Sequence, residues 1–347
     1  MFSITLWKDI LFSYFLMFLC FLIEVLLDKD FHVNHAFVFL FSLTMAFICQ
    51  LIPKGTIIIL FLLIFLGIIL FKNNKDKKLY LLIPALTIIF ILLISSLNII
   101  YDVEDNQKDV IFDKTTHILA YYDLNVEINQ DDQKKIHKMI SEKDIKNNFD
   151  VYYTDPMYKV SNEDVFKEDK MAYLKLAIKY SLKNPFAFIG YFFKSSAIVW
   201  DITKDDEWGG YVYRTDTDYV REHFYKFNSP PVSDLDNASA KNLGTSSYNN
   251  LNSYVHLFTE SHILDTLFNS PALYMYLAFI VLGGLYFLTK SYKIFLIYLP
   301  NLLNVFTIML STPIQQNRYL YGNLLVFYLL LIILARYLVE ENGNNTI

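Results

Sequence analysis

The sequence predicts an α-helical polytopic membrane protein with about seven transmembrane helices and one mostly helical extracellular insert between the fourth and fifth. Three observations carry that expectation. Of the 347 residues, 54% are hydrophobic, and these are gathered in blocks rather than spread along the chain. Seven blocks, at about 10–27, 36–52, 55–71, 79–100, 271–289, 293–310 and 319–338, reach the roughly 17–25 apolar residues a helix needs to cross about 30 Å of hydrocarbon. A long polar stretch separates the fourth block from the fifth. The chain therefore divides into N-terminal transmembrane helices at 1–100, a polar insert at 101–270, and C-terminal transmembrane helices with a short cytoplasmic tail at 271–347.

Charge follows the same division. The insert holds 28 acidic and 19 basic residues, net −9, while the remainder holds 7 and 11. An acidic insert argues against nucleic acid as a partner, because a phosphate backbone asks for clustered Lys and Arg. Cys20 and Cys49 both fall inside predicted spans, so neither a disulfide framework nor a CxxC metal site is expected.

Orientation is read from the short loops. Lys72, Lys75, Lys77 and Lys78 crowd the turn after the third span, and basic residues of this kind stay cytoplasmic. The fourth span then delivers the insert outside, and the C-terminus lies in the cytoplasm. Lys29, Lys290, Lys293 and Arg336 join those four lysines inside, against Lys8, Lys54 and Arg318 outside. The N-terminus is then outside without a signal-peptide pattern, so further spans are expected upstream of Met1; the alternative is a seven-span protein with an outside N-terminus.

Within the spans, Glu24 sits one helical turn before Asp28 and is expected to snorkel to the interface. Pro53-Lys54-Gly55 makes a tight hairpin that places Lys54 at the outer surface. Asn301 and Asn304 share one helix face, where interhelical hydrogen bonding is expected. Arg318, one of four arginines, lies at a membrane mouth. Its planar fork binds phosphate bidentately; an interfacial anchor is the competing reading.

The insert shows helical patterns at 116–124 and 131–145, the latter with Ile136, Met139 and Ile140 on one face. A turn is expected at 152–156, and Ser161 with Asp164 forms an approximate capping box. The helix it starts runs to Lys183 and is stopped by Asn184-Pro185. The apolar segment 186–200 is only 15 residues long and has Lys194 in its middle. It reads as an interfacial helix or as a core helix of the insert. From 201 to 252 periodicity fades into a long loop that holds Asp205, Asp206 and Glu207 beside Trp208. Asp205, Asp206 and Trp208 are candidate sugar contacts, since a ring covers the apolar face of a pyranose and carboxylates take its hydroxyls; a solvated acidic turn is the simpler reading. No Walker loop, GxSxG elbow or HExxH motif is present.

Several stretches taken together carry a resemblance: 3–13 (SITLWKDILFS), Pro53-Lys54-Gly55, the turn from Tyr152 to Pro156, Lys183-Asn184-Pro185 before an aromatic helix, and Asn317-Arg318-Tyr319 near the last span. They resemble the uncharacterised Gram-positive branch of the GT-C type membrane glycosyltransferases. That resemblance implies transfer of a sugar from a polyprenyl-phosphate donor to a cell-surface glycan acceptor, at the outer face of a bacterial cell membrane. It implies that Asp9 faces the donor phosphate or a divalent cation, Mg or Mn, held through oxygen. Arg318 and, more weakly, Lys54 would neutralise the carrier phosphate. At the hairpin the family pattern begins with Arg, whereas Pro53 stands before Lys54 here. The family's catalytic carboxylate in the first outer loop has no counterpart, so no catalytic residue is identifiable in this chain and it is expected to be inactive alone. A second function class stays open, a non-catalytic multi-pass protein whose insert binds envelope polysaccharide or a partner protein. A transporter is less well supported, since the spans offer little beyond Pro300, Asn301 and Asn304 near the midplane.

Overall fold

A computed structural model describes residues 8–28, 33–73, 77–101, 110–202, 267, 270–311, 313 and 317–344. Every regular element among them is helical, and an isolated bridge pairs Asp150 with Tyr153. Among the described residues, five helical stretches are long and apolar enough to cross a membrane: Lys8–Leu27, Leu81–Ile100, Pro271–Thr289, Tyr292–Leu310 and Arg318–Glu340. Two shorter apolar helices, His35–Leu51 and Pro53–Gly67, lie among them.

Helix α1 (Lys8–Leu27) is followed by α2 (His35–Leu51), whose first turn is capped by Asn34 accepting from the Phe37 N–H at 2.8 Å. Pro53 then opens α3 (Pro53–Asn73), a position where a missing N–H costs nothing. Gly55 makes the reversal feasible, because a Cβ there would stand 1.9 Å from the Ile48 carbonyl oxygen. Helix α4 (Lys77–Ile100) returns alongside α2. Ser42 donates to the Ile83 carbonyl at 3.1 Å, and Gln50 donates to Ser95 Oγ at 2.9 Å. Both residue numbers rise together, so α2 and α4 are parallel. It follows that α3 carries the chain back across the same thickness, which its 21 residues cover at about 1.5 Å each.

The C-terminal helices complete this bundle. Ser270 caps α13 (Pro271–Thr289), which stops at Lys290 in a left-handed conformation, φ 52°. A 3-10 turn (Tyr292–Ile294) leads into α14 (Phe295–Leu310), and another (Asn317–Leu320) into α15 (Tyr321–Asn344). The Asn pair meets its expected role: Asn301 Nδ2 donates to Asn323 Oδ1 of α15 at 2.8 Å, and Asn304 Nδ2 donates to the Tyr319 carbonyl at 3.4 Å. One continuous apolar core joins Leu16 and Leu19 of α1, Phe41 of α2, Leu62 of α3, Leu282 of α13, Tyr298 of α14 and Leu330 of α15. In such a core, close packing and interhelical hydrogen bonds hold the helices together.

Glu24 does not snorkel outward. It is buried, and Arg336 Nη1 donates to its Oε1 at 2.8 Å, with Arg336 also 3.7 Å from Asp28 and 3.1 Å from Glu340. A carboxylate at that depth is held by a cation from the neighbouring helix because burial without a partner is costly. This pair defines one end of the bundle. Arg318 near Asp9 defines the other, so α1 and α15 run parallel.

The described residues between α4 and α13 form eight helices: α5 (Val110–Asn125), α6 (Gln130–Met139), α7 (Glu142–Asn148), α8 (Asp155–Val160), α9 (Glu163–Glu168), α10 (Lys170–Lys183), α11 (Pro185–Ser195) and α12 (Ala197–Trp200). The pattern at 131–145 is broken into α6 and α7, because Ser141 caps a new helix by accepting from the Asp144 N–H. The capping residue of α9 is Asn162 rather than Ser161, accepting from Asp164 and Val165. The segment 186–200 is split at Ser196, and its two parts differ in role. Tyr191 of α11 is buried in a core with Phe112, Tyr122, Met157, Phe166 and Tyr180, while Phe186, Ile189 and Phe193 are exposed. α12 leaves that core and packs Ala197, Ile198 and Val199 on Met275, Val305, Ile308 and Leu320. The core-helix reading therefore fits the face that carries Tyr191, and the face that carries Phe186, Ile189 and Phe193 is left uncovered. The Tyr276 hydroxyl donates to the Trp200 carbonyl at 2.8 Å and Lys114 Nζ to the Ser311 carbonyl at 2.7 Å, fastening this unit to the Asp9 end of the bundle.

Candidate functional site

Three residues singled out in the sequence, Asp9, Lys54 and Arg318, come together. They lie on three separate elements: the first turn of α1, the first turn of α3 and the 3-10 turn before α15. Helix starts gather there because the parallel run of α1, α3 and α15 brings the same ends to one level. Asp9 is 5% exposed. Arg318 Nε stands 3.7 Å from Asp9 Oδ2, while Asp9 Oδ1 is buried without a hydrogen-bond partner.

Tyr319 links the two cations. The Arg318 guanidinium lies 4.8 Å and the Lys54 ammonium 5.4 Å from its ring centroid, and Arg318 Nη2 donates to its hydroxyl at 2.8 Å. Lys54 also stands 5.6 Å from the Phe12 ring and is near enough to Asp9 to feel its charge. Ring faces hold cations at such distances. The mouth thus holds one carboxylate and two cations, a net positive recess among aromatic rings.

The turn between α7 and α8 overhangs it. Tyr153 donates to Asp155 Oδ2 at 2.5 Å, and the charge of Asp155 reaches Tyr319. Thr154 donates to Asp113 Oδ2 of α5 at 3.1 Å. Next to Asp113, burial holds the Lys114 ammonium at about 8, well below an ordinary lysine, although Asp113 pulls it upward. His117, one turn further, is fully buried and pushed down to about 3 by that burial. Its Nε2 lies 2.8 Å from the Asp150 carbonyl and so must donate, leaving Nδ1 to accept from the Tyr191 hydroxyl at 2.9 Å. A neutral histidine therefore fixes the backbone of the turn.

The same turn supplies one wall of a cleft of about 590 Å³, lined by Tyr121, Asn125, Phe149, Asp150, Tyr152 and Lys194 among others. That volume falls in the roughly 300–1,000 Å³ span of ligand sites. Tyr121 and Phe149 stand 6.2 Å apart at 44°, and Asp150 Oδ1 is held by the Tyr152 N–H at 2.9 Å. Tyr152 also belongs to the packing that joins α12 to the bundle. The cleft was not legible in the sequence, because its residues come from α5, the turn and α11.

Among the described residues, no group of three or more His, Cys, Asp or Glu is arranged to hold a metal ion. A hard divalent ion can bind through one carboxylate plus substrate phosphate and water, and Asp9 Oδ1 is a buried carboxylate oxygen without a hydrogen-bond partner. Asp205, Asp206 and Trp208 lie outside the described residues. No family model, no curated protein and no solved structure matches this chain.

Proposed function

We propose that the chain is a GT-C type membrane glycosyltransferase-like protein, whose Asp9 end holds the phosphate of a polyprenyl-phosphate-linked sugar. One observation carries this: two cations from distant parts of the chain converge on a buried carboxylate at the end of an apolar helix bundle. A lipid phosphate needs positive charge at the depth where hydrocarbon gives way to water, and in this reading Arg318 and Lys54 supply it.

In this reading α1 to α4 and α13 to α15 make seven spans. The segment 101–270 is extracellular and the C-terminus cytoplasmic, since Lys290, Lys293 and Arg336 gather at the Glu24 end. Arg318 takes the phosphate oxygens through its planar fork, and Lys54 adds a point charge. Asp9 orients the guanidinium. Mg or Mn joining at Asp9 Oδ1 would supply further charge neutralisation on the phosphate. As the phosphate leaves the sugar carbon its charge grows, and fixed cations stabilise that charge without reorganising. The base that takes the acceptor's proton is not assigned in this chain. The cleft between Tyr121 and Tyr152 is the place for a cell-surface glycan acceptor, its rings stacking on pyranose faces while Asn125 and Asp150 meet hydroxyls.

A second reading, a non-catalytic protein that binds envelope polysaccharide, is favoured by the same cleft considered alone. The test uses the full-length protein in nanodiscs and a photoactivatable polyprenyl phosphate. Labelling is expected near Arg318, and Arg318→Ala is expected to abolish it. Undiminished labelling in Arg318→Ala and Lys54→Gln alike would remove the mouth from the mechanism, and polysaccharide binding without lipid labelling would favour the second reading.

A further inference from the structure

The acidic segment between α4 and α13 contains one stretch of opposite character. From Lys170 to Trp200 there are five lysines and no Asp or Glu, although the whole segment is net −9. The same stretch exposes the apolar residues. On α10, Met171, Ile178 and Leu182 follow one another at spacings of seven and four, which keeps them on one helix face, and all three are exposed. Lys175 lies on that face between Met171 and Ile178. On α11, Phe186, Ile189 and Phe193 recur at spacings of three and four, with Phe186 87% and Leu182 77% exposed. The opposite faces are core: Tyr173, Leu176, Tyr180 and Tyr191 are buried. Asn184-Pro185 turns one helix into the other, so both exposed faces meet at a single corner.

We propose that this α10–α11 face docks on the headgroup layer of an anionic bilayer, the same bilayer crossed by α1 and α13 to α15. Continuity favours the bilayer over a separate protein partner. α12 follows α11 after one residue and packs directly on α13 and α14 at their Asp9 ends. The Trp200 indole donates to the Phe193 carbonyl at 3.0 Å, while the Trp200 carbonyl accepts from Tyr276 of α13. The exposed face thus begins beside the surface where those helices leave the hydrocarbon. Charge names the lipid. Lys175, Lys183 and Lys194 border the apolar residues, whereas Lys179 is already paired with Asp132. Exposed apolar side chains with lysines at their margin insert below headgroups and hold anionic ones. The docking rests on the membrane placement of the long helices and is independent of sugar transfer.

The test uses the full chain with Cys20→Ser and Cys49→Ser, carrying a nitroxide at Ile189→Cys or, as a control, at Lys146→Cys on α7. Nanodiscs are made of phosphatidylcholine alone or mixed with phosphatidylglycerol. Power saturation is expected to show the 189 label accessible to oxygen and shielded from a water-soluble nickel complex in the anionic discs. The 146 label should show the reverse. Replacing Lys175, Lys183 and Lys194 together by Gln is expected to lower the 189 oxygen-to-nickel ratio severalfold. A 189 label that reads as aqueous in both lipids would overturn the docking, and so would dipolar broadening between copies, which would mean that a second chain covers the face. Equal immersion in both lipids, unaffected by the Gln changes, would overturn the part played by anionic lipid.

Discussion

Arg336 and Glu24 are separated by 312 positions in the chain and by 2.8 Å between Nη1 and Oε1. Their pairing fixes α15 against α1 at the end opposite Asp9. Removing Arg336 alone leaves a buried carboxylate without its counter-charge. For fully buried pairs that costs about 3–5 kcal/mol; half-exposure of Arg336 reduces the expected loss to about 2 kcal/mol. Thermal unfolding in detergent should show Arg336→Met clearly less stable, and the double variant Glu24→Gln, Arg336→Met should recover most of the loss. A double variant no better than the single one would show that the pair is not what holds the helices.

Two glycines mark close approaches that differ in what an added side chain would meet. At Gly55 an added Cβ would meet the Ile48 carbonyl oxygen at 1.9 Å, and backbone cannot move aside as a flexible side chain can. Gly55→Ala is expected to force the α2–α3 hairpin open and abolish the folded protein, read as loss of the monodisperse peak in detergent. At Gly322 the same atom would meet Asn301 Oδ1 at 2.9 Å and Leu16 Cδ2 at 3.2 Å, both side-chain atoms that can yield. Gly322→Ala should therefore cost only about 1–3 kcal/mol, and the protein should still fold.

The contrast between these residues shows what the sequence could disclose. The apolar blocks are legible one by one because a helix in hydrocarbon must satisfy its own backbone. Their observed limits, Pro271–Thr289 for instance, match the blocks closely. Arg318 could be picked out because it is one of four arginines and lies at a span's end, whereas Asp9 is pointed to only by the family resemblance. Neither Glu24 with Arg336 nor the α12 contact with α14 could be read that way. Each is a meeting of distant elements, set by which helices pack together. The α6–α7 break was missed for a local reason: Ser141 competes as a cap with the continuation of a helical pattern, and side-chain capping won.

His117 makes the overhanging turn acid-labile. Its ring is buried with both nitrogens engaged, faced by Tyr191, the Asp150 carbonyl and the Lys114 ammonium. Burial lowers its folded value to about 3, while the unfolded chain takes a proton near pH 6.5. Between those values the unfolded state binds more protons, so stability falls as pH drops below about 6.5. At pH 5 the loss is about 2 kcal/mol. Hydrogen exchange along α5 and the turn at Asp150 should therefore accelerate between pH 7 and pH 5, after correction for intrinsic rates. The acceleration should be much smaller in His117→Gln, which has no group to titrate.

The mouth makes a prediction in which the three charges behave differently. If Arg318 holds a phosphate, its contribution is that of charge-assisted hydrogen bonds, about 1.5–3 kcal/mol, which corresponds to about 10- to 100-fold in affinity. Arg318→Ala should lose that whole amount. Arg318→Lys should recover part of it, since a lysine keeps the charge but not the fork that reaches Tyr319 as well. Lys54→Gln should cost only a few-fold, because Lys54 acts as a point charge. Asp9→Asn divides two readings of the carboxylate. With Asp9 acting only to orient Arg318, removing its charge leaves more positive potential on the phosphate, and binding of bare polyprenyl phosphate in nanodiscs should tighten in chelator. With a divalent ion bound through Asp9, wild-type binding should strengthen when Mg or Mn is added, and Asp9→Asn should erase that increment. Titrating labelled polyprenyl phosphate into wild type and variants, with and without the ion, separates the two. Equal binding by all four variants under both conditions would show that the cluster at Asp9 is only a clamp between α1, α3 and α15.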